Sequence, residues 1–177
     1  MAVLLYMSKG AIHFNEQNFE YYTPKYIVDM FGTFDYDPAT TTEQAKALGI
    51  PNYSTIDTDG LTTDWTKFKR IWINPPFYLK FPFLEKAVYT YQKTGCDIYY
   101  LAPVSILTTK AFHKIIEGIG IKLYIPNGRI KFSSIGRETE EAPAFGCVIM
   151  KLQSQNEIKF FNIITPGGNY ILNETDK

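Results

Sequence analysis

Apolar residues along this chain recur at two spacings, one of helices and one of strands. After Thr23-Pro24, the residues Ile27, Val28 and Phe31 fall on one helical face and Gly32 ends the run, which predicts a helix from Pro24 to Phe31 with Thr23 as its N-cap. Thr33 to Tyr36 reads as a strand leading into Asp37-Pro38, and Thr42 to Leu48 as a short helix stopped by Gly49 and Pro51. Arg70-Ile71-Trp72-Ile73 is rich in strand formers and must end at Asn74-Pro75-Pro76, because proline has no N–H to give a ladder. Downstream, the pattern predicts helices from Pro82 to Lys93, closed by Gly95, and from Lys110 to Glu117, with a strand from Asp97 to Leu101 between them. The remainder is strand-rich: Ile121 to Ile125, Ile130 to Phe132, Ala144 to Lys151 and Ile158 to Ile163, followed by a polar tail.

Helices interleaved with strands imply a mostly parallel, doubly wound α/β sheet, and the strand-rich end adds an antiparallel edge hairpin. A chain of 177 residues, 45% hydrophobic and 20% charged, buries the core of one domain rather than two, here spanning about 20–165. No apolar run approaches the length of a membrane-spanning helix, and Met1 to Tyr6 is too short and lacks the basic flank of a signal peptide. Cys96 and Cys147 are far apart and lack metal-ligand spacing, so no metal is expected and a reduced, cytoplasmic setting is. The 18 basic residues balance the 18 acidic ones, so a nucleic-acid partner has to be met by a local basic face.

Asn74-Pro75-Pro76-Phe77 carries the most chemistry. An exocyclic amine on a nucleobase is a poor nucleophile, because its lone pair is delocalised into the ring. A catalyst must draw its two hydrogens aside and aim the lone pair. Asn74 offers a side-chain carbonyl and Pro75 a backbone carbonyl, Pro75 and Pro76 restrict the loop in advance, and Phe77 offers a face on which an extruded base stacks. The same tetrapeptide also suits a strand-ending turn with a buried aromatic.

The order of the short motifs resembles the amino-methyltransferases with an (Asp/Asn)-Pro-Pro-(Tyr/Phe) loop, in particular the phage-type DNA N-6-adenine methyltransferases (Dam-like). The matching pieces are Tyr22-Thr23-Pro24, Phe34 to Ala39, Asp59-Gly60-Leu61 with Asp64-Trp65, Trp72 to Phe77, Leu101-Ala102-Pro103 and Gly128 to Phe132. The resemblance implies a Rossmann-like methyltransferase fold, S-adenosylmethionine as the small-molecule methyl donor and DNA adenine as acceptor, in bacterial host cytoplasm for a phage or prophage gene. It assigns Tyr22, Thr23 and Pro24 to the methionine part of the donor, Asp37 and Pro38 to a strand end beside it, Asp59 to the donor's adenine amine and Leu61 to the face beneath the ring. Asp37 before Pro38 and Asp59-Gly60 are equally ordinary turn pairs. Family members often carry Trp where Tyr22 stands and Tyr where Phe77 stands. Asp37-Pro38-Ala39-Thr40 occupies the place where many S-adenosylmethionine enzymes have a Gly-x-Gly loop.

No stretch is long enough for a separate recognition domain, so loops must meet DNA. Tyr78 and Lys80 flank the acceptor loop, while Arg129, Lys131 and Arg137 fall within Pro126 to Glu141. A monomer or weak dimer is expected. Relatives with the same loop methylate a protein glutamine or an RNA guanine amine, and a non-catalytic nucleic-acid-binding protein of this fold is the remaining alternative. Trp65 and Trp72 read as core residues.

Overall fold

The computed structural model describes residues 21–133 and 144–154, and the backbone of 158–164. Helix α1 (Lys25–Asp29) is shorter than the sequence pattern suggests and starts after Pro24, not after Thr23. Strand β1 (Tyr36–Asp37) is also short. The strand expected from Thr33 pairs only at its end: the Asp35 amide donates to the Arg70 carbonyl at 2.9 Å, and the Asp35 carboxylate accepts from the Lys69 and Arg70 amides at 2.9 Å each. Helix α2 (Thr42–Leu48) has the expected bounds: the Thr41 side chain accepts from the Gln44 amide and Gly49 ends the helix in the left-handed region.

The other elements are β2 (Asn52–Tyr53), β3 (Arg70–Ile73), α3 (Lys80–Thr94), β4 (Asp97–Pro103), α4 (Lys110–Ile115), β5 (Gly120–Asn127), β6 (Cys147–Gln153) and β7 (Ile158–Ile164). Short 3-10 turns at Phe77–Leu79 and Val104–Thr108 follow β3 and β4 at their carboxyl ends. All seven strands join one sheet in the order β2-β1-β3-β4-β6-β5-β7. The β2, β1, β3 and β4 strands run parallel, β6 is antiparallel to both β4 and β5, and β7 is parallel to β5. The antiparallel strand thus lies inside the sheet, and β7 forms the edge. Ile130 to Phe132, expected as a strand, makes only the isolated pairing of Tyr22 with Ser133 beside it.

Alternation along the central strands builds two cores. Ile71, Ile73, Ile98, Tyr100 and Ala102 pack with Leu84 of α3 and Phe112 of α4 on one face. Trp72, Tyr99 and Leu101 point the other way, toward Ile27 and Val28 of α1 and Leu48 of α2. Burial on both faces is why β4 reads as a nearly continuous apolar run. Each fully buried large side chain contributes about 1.5–3 kcal/mol, and Trp65 and Trp72 are among them, as the sequence suggests.

The chain leaves β1 toward β2 on one side and returns to β3 on the other. That reversal is a topological switch point, and sheets of this kind take their ligands outside the carboxyl ends of the strands beside it, here β1 and β3. Asp37 ends β1 and Asn74 follows β3, so both stand there.

Candidate active site

Asn74 is fixed by residues far away in sequence. Its Nδ2 donates to the Tyr21 carbonyl at 2.7 Å and to the Thr23 hydroxyl at 3.0 Å. A backbone carbonyl only accepts, so this pairing determines which end of the amide faces Tyr21. Oδ1 is turned to the other side, and among the described residues no donor is bonded to it. Thr23, buried to 3% exposure, therefore serves Asn74 and not α1, whose N-cap is Pro24. Its own carbonyl accepts from Gln44 Nε2 at 2.8 Å, and the Tyr22 hydroxyl accepts from Thr41 at 3.0 Å. The first turn of α2 thus holds the Tyr22-Thr23 segment that holds Asn74.

Pro75 is buried, Pro76 is exposed, and Phe77 is half-buried. Phe77 stacks against Tyr21 with centroids 5.8 Å apart and meets Phe145 edge-on at 4.9 Å. Phe132 also packs on Tyr21, at 5.5 Å. Tyr78 projects into solvent at 54% exposure. Lys80 does not: its Nζ returns to the Phe77 carbonyl at 3.0 Å and lies 4.9 Å over the Phe81 ring, which stiffens the loop. Tyr100 donates its hydroxyl to the Lys80 carbonyl from beneath.

Asp37 is 2% exposed. Its Oδ1 accepts from the Ala39 amide at 3.0 Å, but burial dominates and pushes the carboxyl up to about 7. A buried acid so thinly compensated at a strand end fits a ligand that brings a cation or hydroxyls, as S-adenosylmethionine does. Pro38 is buried beside it, and the Asp59–Leu61 turn packs directly on its backbone. A Cβ at Gly60 would stand 1.8 Å from the Pro38 carbonyl oxygen, so only glycine fits. Asp59 adopts φ +45°, and its Oδ1 accepts from the Leu61 amide at 3.0 Å. Leu61 is half-buried against the core.

Arg129 and Lys131 are exposed while Ile130 and Phe132 are buried, so the segment presents its cations outward. Phe132 touches Tyr21, and Ser133 exchanges backbone hydrogen bonds with Tyr22, which ties this basic segment to the residues that hold Asn74. Arg137 lies outside the described residues. Sequence reasoning passed over Tyr21, Gln44 and Phe145, which act across long separations and leave no local pattern. Both cysteines are free and buried, and burial pushes Cys147 up to about 12. Among the described residues, no helix is long and apolar enough to cross a membrane, and no cluster of His, Cys, Asp and Glu could hold a metal ion.

Residues 17–165 match the family described as DNA N-6-adenine-methyltransferase (Dam). No curated protein matches the chain. Among solved structures, the modification subunit of a putative type I restriction enzyme from Vibrio vulnificus YJ016 is similar in fold, with a TM-score of 0.50 and 13% identity over 87% of this chain and 49% of that one. The chain spans about half of that subunit's length. A predicted O-methyltransferase from Agrobacterium tumefaciens gives a TM-score of 0.39 and 13% identity over 77% of this chain and 71% of that one.

Proposed function

The chain belongs to the DNA N-6-adenine-methyltransferase (Dam) family, and from that premise we propose that it transfers a methyl group from S-adenosylmethionine to the N6 amine of adenine in DNA. The reading is carried by Asn74, whose Nδ2 is committed to Tyr21 and Thr23, which leaves Oδ1 as an acceptor at the end of β3. The donor supplies an electrophilic methyl group on a sulfonium sulfur, which keeps the electron pair of the broken carbon–sulfur bond and leaves as a neutral thioether.

Asn74 Oδ1 and the Pro75 carbonyl accept the two hydrogens of the amine and aim its lone pair. Both acceptors gain strength as the nitrogen becomes pyramidal and positive, so they favour the transition state over the ground state. The methylated amine then loses its extra proton to Asn74 or to water. Phe77 stacks on the extruded base, within an aromatic wall that Tyr21 and Phe145 support. On the donor side, Tyr22, Thr23 and Pro24 lie along the methionine part, Asp37 and Pro38 meet the ribose or ammonium, and Asp59 with Leu61 takes the adenine. Arg129, Lys131 and Tyr78 face DNA. Lys80 steadies the loop and adds positive charge nearby.

The test is transfer of a tritiated methyl group to unmethylated DNA, RNA and protein in parallel, with the product base identified by mass spectrometry. N6-methyladenine in DNA is the expected product. Methylcytosine, methylguanine or methylglutamine as the product refutes the proposal.

A further inference from the structure

Lys86 lies near the middle of α3 and has no part in the transfer described above. Its ammonium is nevertheless drawn inward. Nζ donates to the Leu61 carbonyl at 2.6 Å and to the Thr63 carbonyl at 2.5 Å, and sits 5.2 Å over the Trp65 ring. Burial lowers its affinity for the proton, so the placement works against the charge and is sustained by these contacts. Holding a long lysine still also costs side-chain freedom. Elsewhere on α3, Lys93 lies 5.6 Å over the Tyr89 ring, an exposed residue.

The two carbonyls belong to the loop that carries Asp59. The same loop is tied by the Trp65 indole, which donates to the Gly60 carbonyl at 2.8 Å, and is pressed on the Pro38 backbone through Gly60. It is thus held to the end of β1 on one side and to α3 on the other. Helix α3 begins at the acceptor loop, where Lys80 reaches the Phe77 carbonyl and Tyr100 holds the Lys80 carbonyl. One rigid helix therefore spans from the residue proposed to stack on the base to the loop proposed to hold the donor's adenine.

We infer that Lys86 is a positioning residue for the methyl donor: it fixes the Asp59–Thr63 loop to α3, and so holds ready the loop that takes the donor's adenine. This inference rests on the proposed function. The experiment compares the full-length wild type with Lys86→Met, Lys86→Arg and Lys93→Met. It measures S-adenosylmethionine affinity by calorimetry, KM for the donor and kcat on duplex DNA, and Tm without donor. Lys86→Met keeps the apolar stem and removes two charge-assisted hydrogen bonds, so Kd and KM for the donor should rise about tenfold or more while kcat at saturating donor falls less than about threefold. Lys86→Arg keeps a cationic donor and should lose less affinity than Lys86→Met. Lys93→Met should match the wild type.

A Lys86→Met protein that binds donor like the wild type, whatever its Tm, overturns the inference and leaves the proposed function standing. If Lys86→Met does not fold, Lys86→Gln takes its place, and a folded Lys86→Gln that binds donor like the wild type overturns the inference equally. A wild type that does not bind S-adenosylmethionine refutes the proposed function and the inference with it.

Discussion

Replacing Asn74 by aspartate tests the acceptor geometry sharply, because the change keeps the side chain's shape while removing its donor and, in the ionised form, adding a negative charge. In the structure, Nδ2 lies 2.7 Å from the Tyr21 carbonyl oxygen and 3.0 Å from the Thr23 hydroxyl. A carboxylate has no donor. The Thr23 hydroxyl can rotate and donate to it, which recovers one contact, but the Tyr21 carbonyl cannot, and two acceptors would then face each other. One part-buried acceptor left unpaired costs at most about 1–3 kcal/mol, which sets an upper limit of roughly 5- to 150-fold on the loss of kcat/KM at pH 8. Lowering the pH should narrow the gap, because the protonated carboxyl regains an O–H for the Tyr21 carbonyl. The assay is single-turnover methyl transfer to duplex DNA from pH 6 to 8, with donor affinity measured alongside and expected to change little. Wild-type turnover at pH 8, or a deficit independent of pH, would show that the Tyr21 contact does not orient the amide.

Asp37, buried and pushed from 3.8 up to about 7, gives the folded state stability that is fully present below pH 3.8 and is lost as the pH rises through about 7. Asp37→Asn should abolish this slope and stabilise the donor-free protein at pH 8 by at most on the order of 4 kcal/mol; an unchanged Tm–pH profile contradicts it. Gly60→Ala puts a methyl group 1.8 Å from the Pro38 carbonyl oxygen, so Tm should fall. Overpacking on that scale costs roughly 1–3 kcal/mol, or about 2–12 °C, and donor affinity should fall with it. A variant as stable and as tight-binding as the wild type would mean the loop has room the packing denies. Arg129→Ala should weaken DNA binding and reduce the slope of log K against log salt by about 1, which filter binding across a salt series measures. An unchanged slope places the DNA-facing segment elsewhere.

What the sequence disclosed were features enforced by neighbours in the chain. Pro75 and Pro76 must end a strand, so the acceptor loop could be placed at the end of β3 without coordinates. Thr41 and Gly49 bound α2 with local chemistry alone, and its bounds agree. Thr23 shows the limit. A threonine before proline is a good helix cap, yet here its hydroxyl serves Asn74, 51 residues away, and nothing local encodes that choice. The Asp35 carboxylate likewise accepts from the Lys69 and Arg70 amides, 34 and 35 residues on, a pairing that no local pattern announces. Phe145 and Lys86 meet the site only through tertiary packing, and their spacings carry no signature of it.

The position of β6 has a consequence for how the protein is made. It fills the gap between β4 and β5, pairing Leu101 with Ile149 on one side and Leu123 with Met150 on the other. During synthesis, therefore, β4 and β5 emerge from the ribosome before the strand that joins them, each with an unpaired edge toward the gap. About 20 to 50 further residues must be added before that strand is available, a delay of seconds at cellular elongation rates of about 5–20 residues per second. Over that interval the apolar β4 is open to pairing with other chains. Translation that stalls after β5 should leave an aggregation-prone nascent chain, whereas one released beyond β6 should fold.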